Sequence, residues 1–241
     1  LLAGLSEFLQ QFLANRAATL QDLLIDFVGI GAGTLLALAI AGKFTPFLRV
    51  LLGLTGVCLV TAAFYKPFSW AAAYDVRNKN VPALVNFESK WEANFFFTND
   101  ASIERTSPPP AWTQKSADGI VGSITYRKGR WPVFKFQEIY PDWRGYSHIK
   151  FEMYNAESER IRMTFRVDDV HHNYSQEDRL NHRFWLMPGH NAVSIPLTTI
   201  KEAPVGRDMD MSAIKDIMWF ASKVEKPLRV YLGDVRLSDH E

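Results

Sequence analysis

Two apolar runs, Leu23–Gly42 and Pro46–Tyr65, separated by the short break Lys43-Phe44-Thr45, constrain this chain more than any other feature. Each is about 20 residues long, the length at which an α-helix crosses the hydrocarbon core of a bilayer. Ionisable residues inside them are confined to their N-terminal turns, Asp26 in the first and Arg49 in the second. That confinement favours a transmembrane helical hairpin over the buried helical hairpin of a soluble protein. Gly29, Gly31 and Gly33 cluster in the first run. No strand precedes them, as a dinucleotide-binding loop requires, so close helix packing is the better account. Lys43 and Arg49 flank the connecting loop, while Arg16, Lys66, Arg77 and Lys79 flank the opposite ends. Charge bias therefore leaves the orientation open.

The chain opens at Leu1 directly in helical sequence, which sets the expectation of at least one earlier membrane segment. With 27 Lys+Arg against 26 Asp+Glu, the basic excess of a nucleic-acid binder is missing. Cys58 is the sole cysteine, which excludes a disulfide framework and a thiolate metal cluster. The hairpin, placed in residues 1–66, is followed by an interfacial linker over 67–83. Its aromatic belt is Phe64, Tyr65, Phe68, Trp70 and Tyr74, and its polar part is Asp75–Pro82.

From Leu84 to Glu241 the hydrophobic period changes to two. Ile149, Phe151 and Met153 alternate with Lys150, Glu152 and Tyr154; Ile161, Met163, Phe165 and Val167 alternate with Arg160, Arg162, Thr164 and Arg166. Both patterns read as half-buried antiparallel strands. Eight further strands are predicted over 94–98, 102–105, 122–127, 133–139, 182–187, 192–196, 216–220 and 228–237, and short helical turns at 200–201 and 211–214. About ten short strands between proline and glycine turns predict a sandwich or barrel.

The densest polar cluster lies between two strands: Asp168, Asp169, His171, His172, Asn173, Tyr174, Asp178, Arg179, Asn181, His182 and Arg183. Three readings stay open. It is a solvated loop with an internal Asp–Arg network, or a carbohydrate site with Tyr174 or a tryptophan as a flat platform, or a zinc site. Against zinc, adjacent His171 and His172 point to opposite sides of an extended strand. A second candidate surface joins Lys150, Glu152, Tyr154, Arg160, Arg162 and Arg166, whose arginines suit acidic sugars or phosphate groups. Trp185 and Trp219 are assigned to the core, Trp112 and Trp131 to loop platforms. A Gly-x-Ser-x-Gly elbow, a reactive cysteine and a phosphate loop are all missing, so no catalytic residue is assigned.

Two resemblances follow from short motifs. Glu7-x-x-Gln10, Arg16, Asp22, Gly29 and Gly33 resemble the VanZ-like membrane proteins over residues 5–65, with Asp26 standing where that family carries asparagine. The resemblance implies the C-terminal part of a larger helical membrane domain of bacteria. Its polar residues Glu7, Gln10, Arg16, Asp22 and Asp26 either pair with one another or mark a site.

Asn86-Phe87-Glu88, Asp142-Trp143, Pro188-Gly189-x-Asn191 and Tyr231-Leu232-Gly233-Asp234-Val235 resemble the galactose-binding-like jelly-roll carbohydrate-binding modules. That resemblance implies an all-β sandwich that binds an envelope glycan without catalysis. It would lie on the extracytoplasmic side of the bacterial inner membrane, with membrane lipid as a partner. The ligand residues, drawn from the polar cluster and the charged face described above rather than from the family's motifs, are Asp168, Asp169, His171, His172, Tyr174, Asp178, Arg179, Arg183 and Arg162. No cofactor is implied beyond a structural calcium at Glu88 and Asp234, and Gly233 stands where an acid is common. A protein-interaction module of an envelope complex is the rival reading, and a membrane-embedded activity on lipid-linked sugars a third.

Overall fold

A computed structural model describes residues 20–112 and 119–240. The chain divides after Ala71 into two compact units.

Helices α1 (Leu20–Ala41) and α2 (Pro46–Lys79) run side by side in the first unit because the sequence lets them approach. A Cβ on Gly56 would stand 2.8 Å from Leu36 Cγ and 3.1 Å from the Ala32 carbonyl oxygen, so only glycine fits there. Arg49 donates to the Ala39 and Ile40 carbonyls at 2.8 and 2.7 Å, satisfying acceptors that the end of α1 leaves open. Thr34, Thr55 and Thr61 each turn a hydroxyl back onto the carbonyl four residues earlier. Their polar groups are thus satisfied within the helix. Ile30, Phe47, Val50, Leu54, Phe64 and Phe68 remain exposed. Among the described residues α2 is the one helix long and apolar enough to cross a membrane; the apolar stretch described in α1, Ile25–Ala41, is shorter.

The expected polar linker is helical through Lys79, with Lys79 paired to Asp75 at 2.7 Å. From Ala72 this helix belongs to the second unit. Tyr74, expected in the aromatic belt, packs edge-on against Phe95 (5.3 Å) and donates to the Glu138 carboxylate, while Arg77 donates to the Glu138 carbonyl at 2.7 Å.

The strands of the second unit are β1 (Ala83–Val85), β2 (Phe96–Asn99), β3 (Ala101–Thr106), β4 (Val121–Tyr126), β5 (Val133–Gln137), β6 (His148–Asn155), β7 (Ile161–Asp169), β8 (Leu180–Leu186), β9 (Gly189–Pro196), β10 (Ile214–Ala221) and β11 (Leu228–Ser238). A 3-10 helix, Lys90–Phe95, follows β1, and α3 (Leu197–Lys201) follows β9. One antiparallel sheet has the order β3-β4-β11-β6-β9, with β1 on the far half of β11; the other is β2-β5-β10-β7-β8. Only β3–β4 and β7–β8 are hairpins within a sheet; every other connection between consecutive strands changes sheet.

Alternation fixes the inner faces. Phe151 of β6 meets Phe165 of β7 at 4.9 Å and Trp219 of β10 at 5.7 Å, and the Tyr126 hydroxyl donates to the Trp219 carbonyl at 3.0 Å across the sandwich. The two-sheet sandwich matches the predicted pattern, and β1 is the strand that pattern missed. One expectation fails here. β6 and β7 lie in different sheets, so Lys150, Glu152 and Tyr154 do not share a surface with Arg160, Arg162 and Arg166. Alternation along a strand sets which side a residue faces but not which sheet the strand joins.

Candidate functional site

The outward face of the five-stranded sheet is set by the register of its pairs. Asn99, Val133, Phe220, Thr164 and Arg183 form one row across β2, β5, β10, β7 and β8; Phe97, Lys135, Met218, Arg166 and Asn181 form the next. In a third row, Gln137, Asp216 and Asp168 lie opposite one another. Arg162 of β7 pairs with Trp185 of β8 at the near end. The opposite parity, Phe134, Ile217, Trp219, Met163, Phe165 and Val167, is buried in the core.

Two depressions meet on this face at Arg166. The first, about 240 Å³, is lined by Trp131, Thr164, Arg166, Gln176, Arg179, Asn181, Arg183 and Phe220. The second, about 280 Å³, holds Lys135, Asp168, His172, Tyr174, Asp216 and Met218 among its walls. Trp131, in the turn before β5, is 51% exposed; a half-exposed indole beside convergent polar groups is the arrangement a sugar ring stacks on.

Charges in the second depression are matched. Arg166 grips Asp168 with two hydrogen bonds of 2.7 and 2.6 Å, and Lys135 donates to Asp216 at 2.8 Å. His172 Nδ1 lies 2.8 Å from the Asp178 carbonyl oxygen, which only an N–H can satisfy. Its Nε2 lies 3.1 Å from an Arg166 terminal nitrogen, which can donate to it. In the first depression Arg179 Nε donates to Asn181 Oδ1 at 3.2 Å. Burial and the neighbouring Arg166 guanidinium lower the Arg179 pKa, partly offset by Asp168.

The residues predicted as ligand-binding divide. Asp168, His172, Tyr174, Arg179, Arg183 and Arg162 lie on or beside this face. Tyr174 is 86% exposed at a left-handed φ of 70°. Asp169 and Asp178 are buried and committed to Arg207, which donates to Asp169 at 2.6 and 2.9 Å and to Asp178 at 2.5 Å. Burial alone would raise the Asp169 carboxyl; Arg207 and the Asp210 N–H outweigh it and hold the pKa below the usual range. The Arg207 hydrogen bond, the Asn173 N–H and the guanidinium charge lower Asp178 despite partial desolvation. These two acids tie the long β7–β8 connection to the segment before β10 rather than facing a ligand. His171 points elsewhere, 3.6 Å from Asp210, and His182 faces inward, stacked on Phe184, with its pKa lowered by burial.

Two tryptophan assignments reverse. Trp112 is 2% exposed and stacks on Tyr154, whereas Trp185 is 50% exposed with Arg160 over its ring at 4.3 Å. Lys135, Gln176, Asp216 and Phe220 are wall residues that the sequence reading does not single out, whereas Asn181 belongs to its polar cluster. Trp131 was marked as a platform by its proline-flanked turn; strand parity alone would have flagged Asp216 and Phe220. Glu7, Gln10 and Arg16 lie outside the described residues. Asp22 lies in α1, where Asp26 is half-buried.

Near Glu88 and Asp234, the acids named for a structural calcium, arginines already make contacts. Arg236 pairs with Asp234 at 2.6 Å, and Arg105 donates to the Phe87 and Glu88 carbonyls. Among the described residues no group of three His, Cys, Asp or Glu could hold a metal. The acid that stands out nearby is Glu92. Its Oε1 accepts from the Asn86 N–H at 3.4 Å and its Oε2 has no partner among the described residues. Burial pushes Glu92 up to about 7, partly relieved by the Asn86 and Phe87 N–H groups and Arg105, with Asp234 acting the other way. Folded Glu92 therefore keeps a proton between about pH 4.3 and 7 that the unfolded chain releases, so this group's contribution to stability falls as pH rises through that window. Glu92→Gln removes the slope. Thermal unfolding at pH 5 and pH 8 should show the variant gaining about 2.5 kcal/mol on wild type between the two; parallel profiles would count against a buried, neutralised Glu92.

No family model matches the sequence, and no curated protein matches it. Solved structures do share the fold. An exo-β-agarase superposes over 66% of this chain with a TM-score of 0.53 at 10% identity, the match spanning 25% of the agarase chain. A family 11 carbohydrate-binding module from Clostridium thermocellum, solved with a β-1,3-1,4-mixed-linked tetrasaccharide, covers 65% of this chain and 94% of its own (TM-score 0.49, 12% identity). A family 30 module of a Clostridium thermocellum cellulosomal cellulase covers 61% and 92% (TM-score 0.45, 12% identity). At 10% identity the agarase likeness is one of fold alone, a two-sheet antiparallel β-sandwich; the two module superpositions add no argument to it.

Proposed function

We propose that the second unit is a non-catalytic glycan-binding domain whose ligand lies on the outward face of the five-stranded sheet. One observation carries this reading: Trp131 and Phe220 line the same depression as Thr164, Gln176, Asn181 and three arginines. A flat apolar surface beside hydroxyl, amide and guanidinium groups is the chemistry that recognises a pyranose ring and its substituents.

We further propose that α2, paired with α1 as a hairpin, anchors the protein in a bacterial inner membrane with the sandwich on the extracytoplasmic side. The length and apolar surface of α2 support anchoring; compartment and the VanZ-like relation rest on the sequence motifs. Washing membranes with alkaline carbonate should leave the protein in the pellet, and its release would overturn the anchoring.

The glycan reading is tested by binding the full chain, held in detergent, to an array of envelope and plant polysaccharides. Retention on at least one polysaccharide class is expected. Retention on none, with a protein partner still captured through the same face, would replace glycan binding by protein docking.

A further inference from the structure

We infer that the saccharide selected by this face is anionic, its carboxylate or sulfate held by Arg179 and Arg183 beside a ring stacked on Trp131. This deepens the glycan-binding reading and rests on it.

Two cations of this face are already paired, Arg166 with Asp168 and Lys135 with Asp216. In the first depression the other arginines are not. Three arginines line it and no carboxylate does. Among the described residues neither Arg179 nor Arg183 has an acid within ion-pair distance, and the same holds for Arg162 one row away.

Arg179 sharpens the point. It is half-buried, and its nearest charged neighbour in the depression is another guanidinium, so it carries both a desolvation cost and like-charge repulsion. Only its Nε is engaged, by Asn181; the terminal nitrogens remain to donate. An anion seated there offsets both costs.

Hydrogen-bonding capacity points the same way. Neutral sugar hydroxyls donate as well as accept and are best met by sites that offer free carboxylates. Here the nearest carboxylate, Asp168, is consumed by Arg166, and Asn181 Oδ1 already accepts from Arg179. The remaining capacity is mainly N–H donors in planar forks. These suit a group that only accepts, and carboxylate and sulfate oxygens are such groups. A volume near 240 Å³ suits about one such residue of a chain.

The test titrates the full chain in detergent with four size-matched probes. They are a galacturonate oligosaccharide, a sulfated galactan oligosaccharide, the neutral galactan oligosaccharide, and inorganic polyphosphate. One or both anionic saccharides should bind at least about tenfold more tightly than the neutral one, with affinity falling as salt is raised. Which of the two binds distinguishes carboxylate from sulfate. Arg179→Gln and Arg183→Gln should each weaken the anionic saccharide about tenfold and any binding of the neutral one by a clearly smaller factor, so that the preference for the anion falls. The unfolding temperature of each variant, if unchanged, shows that the fold is intact. Equal affinity for the neutral and anionic saccharides overturns this inference and leaves glycan binding standing. Tightest binding to polyphosphate overturns it as well, since charge alone would then suffice. Binding of no saccharide, charged or neutral, overturns the glycan reading itself.

Discussion

Replacing Arg207 by methionine should destabilise the second unit by about 3 kcal/mol at neutral pH, lowering its unfolding temperature by roughly 6–12 °C. The reason is geometric. One guanidinium makes two bonds to Asp169, which is wholly buried, and a third to Asp178. Methionine fills the volume but leaves the Asp169 charge uncompensated, and an orphaned buried charge costs far more than the lost pair was worth. The figure sits at the low end of that range because Arg207 itself reaches solvent.

Acid should separate this cause from simple loss of packing. In the wild type both carboxyls are held below their ordinary range. Their contribution is thus present above the unfolded pKa near 3.9 and is lost as pH falls through the lowered folded values. In Arg207→Met burial dominates at Asp169 and raises its pKa. Lowering the pH from 7 toward 4 should therefore narrow the gap between variant and wild type. A gap that stays constant with pH would mean that the ion-pair account of this loop is wrong.

Trp131→Ala should cost about 2 kcal/mol of glycan affinity, roughly thirtyfold, with little change in unfolding temperature. The indole is half exposed, so it contributes little to the core; its value lies in the flat face offered beside Arg183 and Thr164. Trp185→Ala is the comparison. Trp185 is equally exposed, but Arg160 already covers its ring at 4.3 Å, leaving less surface for a sugar. Its loss should matter several-fold less. Equal effects from both substitutions would move the platform from one depression to the whole edge of the sheet.

The sandwich was legible because period-two alternation survives in nearly every strand: Ile149, Phe151 and Met153 inward, Lys150, Glu152 and Tyr154 outward. Pairing was not. β6 and β7 are consecutive and similarly patterned, yet they join different sheets, so the two charged faces read as one surface lie in separate sheets. The site was half legible for the same reason. Local density in the β7–β8 connection drew attention to Asp168, Arg179 and Arg183. The partner that assigns Asp169 and Asp178 to structure, Arg207, stands 38 and 29 residues away in sequence. Nothing local marks it. Trp112 and Trp185 were exchanged because exposure of an aromatic depends on what packs over it, here Tyr154 against Trp112, and not on the loop or strand that carries it.

The central claim is that the outward face of the five-stranded sheet is where a glycan binds. Amide hydrogen exchange on the full chain, with and without a saccharide retained on the array, addresses it directly. Added protection should concentrate in residues 130–135, 164–168 and 176–183, which surround Trp131, Arg166 and Arg183. Protection confined to the six-stranded sheet, around Tyr154, His190 and Tyr231, would contradict the claim.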